Sequence, residues 1–111
     1  MKIVEVGKAA VVSGVFPIKS LTDQKKFLGD IEALIESGKA NLVFNMDKVD
    51  YLMTMELGSL VASMKKARAK GGVLKLVGVG EFLDNLLNLT NLKGIFEIYP
   101  TESEALKSLE E

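Results

Sequence analysis

The chain has 111 residues, 48% hydrophobic and 26% charged, which is enough apolar material for one globular domain over residues 1–111 with a real core. Fourteen basic residues against fifteen acidic ones leave a formal charge of −1 and a pI near 5.5, so no positive excess exists to collect phosphate backbones, and nucleic acid is not an expected partner. Neither Cys nor His occurs, which removes disulfides, thiolate nucleophiles, His general bases, Ser-His-Asp triads and the usual zinc sites; the expectation is a non-enzyme with no cofactor and no metal.

No apolar run approaches the roughly 20 residues that span a bilayer, and the N-terminal MKIVEVGK lacks the apolar centre of a signal peptide. The expected protein is cytoplasmic, without membrane insertion. From the start, KIVEV and AAVVSGV flank Gly7-Lys8, and their β-branched content predicts a hairpin. After the loop FPIKS, Ser20 and Asp23 form a capping-box-like start, and Phe27, Leu28, Ile31, Leu34 and Ile35 fall on one helical stripe that ends at Ser37-Gly38. NLVFNM reads as a buried strand that VDYLM continues or follows. Leu57, Leu60, Val61, Met64 and Ala67 then recur at helical spacing, with Lys65, Lys66, Arg68 and Lys70 on the other face and at the C-terminal end, before Gly71-Gly72 stops the helix.

VLKLVGV is the next strand, EFLDNLLNLT a short helix with Phe82, Leu83, Leu86 and Leu87 inward, and GIFEIY a last strand. Thr101 and Glu104 cap a final helix through Ala105, Leu106 and Leu109. The order β-β-α-β-α-β-α-β-α predicts an α/β fold, a mixed central sheet with about four helices packed on it. No internal repeat, linker or low-complexity segment interrupts it.

This order, with LVFNMDKVDYL running into LGSLVASMKKARAKGGVLKLVGV and the close LTNLKGIFEIYPTESEAL, resembles the STAS domain family, the fold of bacterial anti-sigma factor antagonists. The resemblance covers almost the whole chain. It implies a signalling protein in transcription regulation that works by partner switching, binding a histidine-kinase-like ATPase that is itself an anti-sigma factor. In the family a strand-to-helix hinge reads Asp-Ser-Ser-Gly before Leu-Gly, and the kinase phosphorylates the second Ser to release the complex. Laid on this chain, the hinge becomes Met53, Thr54, Met55 and Glu56 before Leu57-Gly58. The acceptor position is Met55, which has no hydroxyl, and an acidic residue usual in the loop after the second strand falls near Pro17, a second departure.

Each hinge residue carries two expectations. Thr54 is an alternative phosphoacceptor or the N-cap of a helix starting near Met55. Glu56 is an ordinary first-turn acid or a permanent charge that weakly imitates a phosphate. Met53 and Met55 fill the core, or one of them opens outward, with Met55, Phe16 and Pro17 forming an apolar docking patch. The expected partner-binding set is therefore Phe16, Pro17, Met53, Thr54, Met55, Glu56, Leu57 and Gly58. Within the same family resemblance, an accessory subunit on a transporter ATPase is an alternative, and a nucleotide- or lipid-binding module is another. Gly78-Val79-Gly80 has the location of a dinucleotide loop, but Leu83 stands where the third glycine belongs, so a turn is expected. Asp47, Asp50, Glu81 and Asp84 form no dense cluster and read as solvated or capping residues.

Overall fold

The structure is a computed structural model that describes residues 1–110. The predicted element order is observed: β1 (Lys2–Val6), β2 (Ala9–Ser13), α1 (Leu21–Glu36), β3 (Asn41–Asn45), α2 (Thr54–Ala69), β4 (Leu74–Val77), α3 (Glu81–Leu89), a 3-10 turn (Lys93–Ile95), β5 (Glu97–Tyr99) and α4 (Glu102–Ser108). Gly7-Lys8 closes the hairpin with Val6 opposite Ala9. Ser20 caps α1 by accepting from the Asp23 amide at 3.0 Å, and the Asp23 carboxylate accepts from the Lys19 amide at 3.1 Å.

The strands lie side by side in chain order, β1 antiparallel to β2 and every later pair parallel. A sheet that grows in one direction through right-handed crossovers puts its connecting helices on one face. That face carries the larger core, where Ala10, Val12, Leu42, Phe44 and Leu76 of the strands meet Phe27 and Ile31 of α1, Leu60 and Met64 of α2, and Leu83 and Leu87 of α3. The opposite face holds a smaller cluster, Val11, Val43 and Val77 under Ala105 of α4. Alternation along β2, β3 and β4 feeds both clusters, as expected of strands buried on two sides, whereas β1 is an exposed edge strand.

One alternative is decided and three expectations need correction. VDYLM follows the strand rather than continuing it, because β3 ends at Asn45 and Met46 to Met53 form an irregular loop in which Lys48 takes a positive φ of 68°. Gly94 and Ile95 belong to the 3-10 turn, so β5 is three residues long. Phe82 points outward and is 74% exposed, for α3 seats only Leu83 and Leu87 fully. On α2, Leu57 and Val61 are half-buried while Ser59 and Ser63 are fully buried. The cause lies in the packing of α1 on α2, where Gln24 donates to the Ser59 hydroxyl at 3.0 Å and Ser63 donates to the Ser59 carbonyl at 2.9 Å. Small hydrogen-bonded side chains let the two helices approach without leaving a buried polar atom unpaired.

Candidate protein-interaction site

The hinge sits at the C-terminal end of the parallel strands, where loops rather than ladder hydrogen bonds present side chains. Met53, not Thr54, is the N-cap of α2, and Thr54 is an exposed residue of the first turn. Methionine has no oxygen with which to cap, and the cap is completed from inside the helix. Glu56 Oε1 accepts from the Met53 amide at 2.8 Å, while Oε2 accepts from the Ile18 amide at 2.9 Å. Glu56 is only 3% exposed. Glu56 is thus a first-turn acid, as one of its two expectations had it, but its carboxylate is a buried tie between the loop after β2 and the start of α2.

The loop after β2 holds the other predicted residues. Its Phe16–Pro17 peptide is cis, Phe16 is half-buried and Pro17 is exposed. Phe16 stacks at a tilt on Phe27 with centroids 6.4 Å apart, and Phe27 meets Phe44 edge-on at 6.1 Å, so an aromatic row runs from the loop into the core. Against this loop lies a shallow groove of about 170 Å³ lined by Phe16, Pro17, Lys48, Val49, Asp50, Tyr51, Met53 and Glu56. The structure thus brings Met53, rather than Met55, to Phe16 and Pro17. Met53 is 62% exposed, whereas Met55 is half-buried and packs on the core.

Leu57 is half-buried against the core and Gly58 is exposed. A Cβ built on Gly58 meets nothing within 4 Å, so the fold does not require a glycine there. Reading along the sequence missed Tyr51, which is 65% exposed and lines the groove; it was hidden inside a segment read as strand. It also missed Phe82 and Leu89, 74% and 82% exposed on the neighbouring α3. A signal for them was present, since five large apolar residues among the nine of EFLDNLLNL are more than one buried stripe of a helix accommodates.

The other candidates resolve as turns and surface pairs. Gly78 has φ +70° and Gly80 is the N-cap of α3, and a Cβ at Gly78 would fall 2.2 Å from the Asp47 carboxylate, so Gly78-Val79-Gly80 is a tight turn against Asp47. Asp84 pairs with Lys93 at 2.9 Å, Lys66 pairs with Glu32 of α1, and Arg68 donates to the Ile95 carbonyl at 3.0 Å. Among the described residues, no group of three or more His, Cys, Asp or Glu could hold a metal ion, and no helix is long and apolar enough to cross a membrane.

Known proteins share this fold. A family model described as the STAS domain matches residues 20–105. A Thermotoga maritima protein named "Putative anti-sigma factor antagonist" is 31% identical over 85 residues, covering 77% of this chain and 74% of its own. The crystal structure of a T. maritima protein of the same description superposes with a TM-score of 0.83 at 24% identity, covering 99% of this chain and 94% of that one. The anti-sigma factor antagonist SpoIIAA in its unphosphorylated form superposes with a TM-score of 0.79 at 14% identity, covering 98% and 95%. At these identities the two structures speak for the fold.

Proposed function

The chain belongs to the STAS domain family, and from that premise we propose that it acts by protein–protein recognition, as an anti-sigma factor antagonist whose docking surface is the entry of α2. The observation that carries the reading is the groove in which Phe16, Pro17, Val49, Tyr51 and Met53 gather apolar side chains among Lys48, Asp50 and Glu56, beside the hinge that the family resemblance makes its switch. The partner is the kinase-like ATPase anti-sigma factor of that resemblance. With Met55 at the acceptor position, no hydroxyl is offered there, and binding persists whether or not ATP is present. Exposed Gly58 fits the same reading, because it keeps the outer face of α2 flat one turn beyond Thr54 where nothing in the fold asks for it.

Titration calorimetry of the purified chain with its cognate anti-sigma factor, with and without ATP, tests the proposal. Wild type is expected to bind equally in both conditions, and Met53→Asp to weaken binding by about tenfold or more, as loss of a central apolar contact does. Met55→Ser, incubated with the same partner and labelled ATP, should take up phosphate and then release. Release of the wild-type chain by ATP, with label on Thr54, would overturn the absence of a switch. Unchanged binding by Met53→Asp would move the docking surface away from the groove.

A further inference from the structure

The chain has five methionines, and the fold sorts them by what oxidation of the thioether does to each. Met46 and Met64 are buried in the main core, and Met55 is half-buried against it. An oxygen added to any of these three puts a polar group into close-packed surroundings that have no room for it. Met1 is exposed but lines a different cavity, beside Gly14 and Val15. Met53 alone is both open to water, at 62% exposed, and part of the docking groove.

The start of α2 does not depend on that side chain. Met53 is the N-cap residue, yet no side-chain bond from it caps the helix. Its amide donates to the Glu56 carboxylate at 2.8 Å, and its carbonyl accepts from the Leu57 amide at 2.9 Å. Both bonds belong to the main chain, so the thioether is free to change chemistry while the cap and the tie to Ile18 stay in place. Phe16, Pro17, Val49 and Tyr51, the other apolar members of the groove, carry no atom that a hydroperoxide oxidises reversibly; a thioether does.

We propose that Met53 is a redox modification site, at which a hydroperoxide forms the sulfoxide and thereby weakens the hold of the groove on its partner. The proposal rests on the docking reading given above. In the step, a sulfur lone pair attacks one peroxide oxygen, the O–O bond breaks as the S–O bond forms, and the second oxygen takes up a proton and leaves as water. Sulfur gives up two electrons and the peroxide takes them. A thiol-dependent sulfoxide reductase reverses the change, its thiols becoming a disulfide while the oxygen leaves as water. In the free chain, water satisfies the new oxygen. Against an apolar partner that water is lost, and binding weakens by about tenfold or more. A hinge that offers no hydroxyl at Met55 thus keeps a reversible means of release two residues earlier.

The purified chain, treated with graded hydrogen peroxide, is mapped by peptide mass spectrometry and then titrated against the anti-sigma factor by calorimetry. Met53 and Met1 are expected to gain oxygen first, with Met46 and Met64 spared and the melting temperature unmoved. The oxidised chain should bind about tenfold or more weakly than the untreated one, and sulfoxide reductase with dithiothreitol should restore the affinity. Met53→Leu separates the effect from that of Met1: whatever the affinity of this variant, peroxide should leave it unchanged. Full conversion of Met53 without loss of binding would overturn the redox site and leave the docking groove standing. A peroxide effect that persists in Met53→Leu, or oxidation of Met46 or Met64 ahead of Met53 with loss of the fold, would overturn it as well. Failure of the untreated chain to bind is a different result: it refutes the docking reading itself, and the release step falls with it.

Discussion

Two backbone amides from distant parts of the chain, those of Ile18 and Met53, end on the single carboxylate of Glu56. Charge-assisted bonds of this kind are the strong ones, and a buried amide that loses its acceptor costs about 1–3 kcal/mol. Glu56→Ala strands both, so urea denaturation should show a loss of about 2–4 kcal/mol, moderated by whatever water enters the shallow groove. Glu56→Gln keeps an acceptor for one amide and turns its NH₂ towards the other, so it should fall between. A loss below about 0.5 kcal/mol for Glu56→Ala would mean that the cost of burying the carboxylate cancels its bonds. Half of this arrangement was legible. A Glu three residues after a helix cap is the capping-box position, but the general preference for Thr over Met as a cap pointed to Thr54 and moved Glu56 out of register. The bond to Ile18 spans 38 residues and belongs to the tertiary fold, which no local pattern contains.

Three helix ends in this chain share a closing geometry, and local sequence revealed two of them, at Gly38 and at Gly71-Gly72. After α2, the Gly71 amide bonds the Arg68 carbonyl at 3.0 Å and the Gly72 amide the Ala67 carbonyl at 2.9 Å, with Gly71 at φ +79°. That is a Schellman closure, and α1 at Gly38 and α3 at Asn91 repeat it. The glycines of α2 nevertheless differ in what the fold asks of them. A Cβ at Gly72 would lie 2.0 Å from the Ala40 carbonyl oxygen, a backbone atom that leads directly into β3 and cannot yield cheaply, whereas Gly58 faces open space. Gly72→Ala should therefore cost about 3 kcal/mol or more, at or beyond the upper end for overpacking, while Gly58→Ala should add about 0.5–1 kcal/mol through helix propensity. Paired chemical denaturation curves decide both. If Gly58→Ala stabilises the chain yet weakens binding to the anti-sigma factor, the glycine serves the docking surface. Equal effects of the two substitutions would refute the steric account. Composition alone could not separate them, and in the same way it could not say which side of α3 would face the core, since apolar residues occupy both.

Across the whole molecule, a hairpin followed by strands alternating with helices was enough to foresee a mixed sheet with helices, but not how the sheet's second face would be covered. VLKLV reads as a buried strand with a lysine in its middle, and Lys75 is indeed only 4% exposed, a rare state for that residue. It is accommodated by Ser108 Oγ at 2.6 Å, Glu97 at 3.2 Å and the Tyr99 ring at 4.8 Å, so one cation ties β4 to β5 and α4. Two forces can hold α4 in place, this polar cluster or the packing of Ala105 over Val11, Val43 and Val77. Glu97 is 54% exposed, so removal of the ammonium leaves it hydrated rather than buried and unpaired. Ser108 keeps its bond to the Ala105 carbonyl at 2.6 Å. Lys75→Met, which retains the length of the stem, should then lie within about 1 kcal/mol of wild type, as hydrophobic replacement of buried ion pairs often does. Lys75→Ala, which empties the stem's volume, should cost about 2 kcal/mol or more. Hydrogen exchange on the α4 amides supplies the local readout. If Lys75→Met speeds that exchange as much as Lys75→Ala does, the charge cluster fastens α4; if only the alanine does, packing closes the second face and the lysine is tolerated within it.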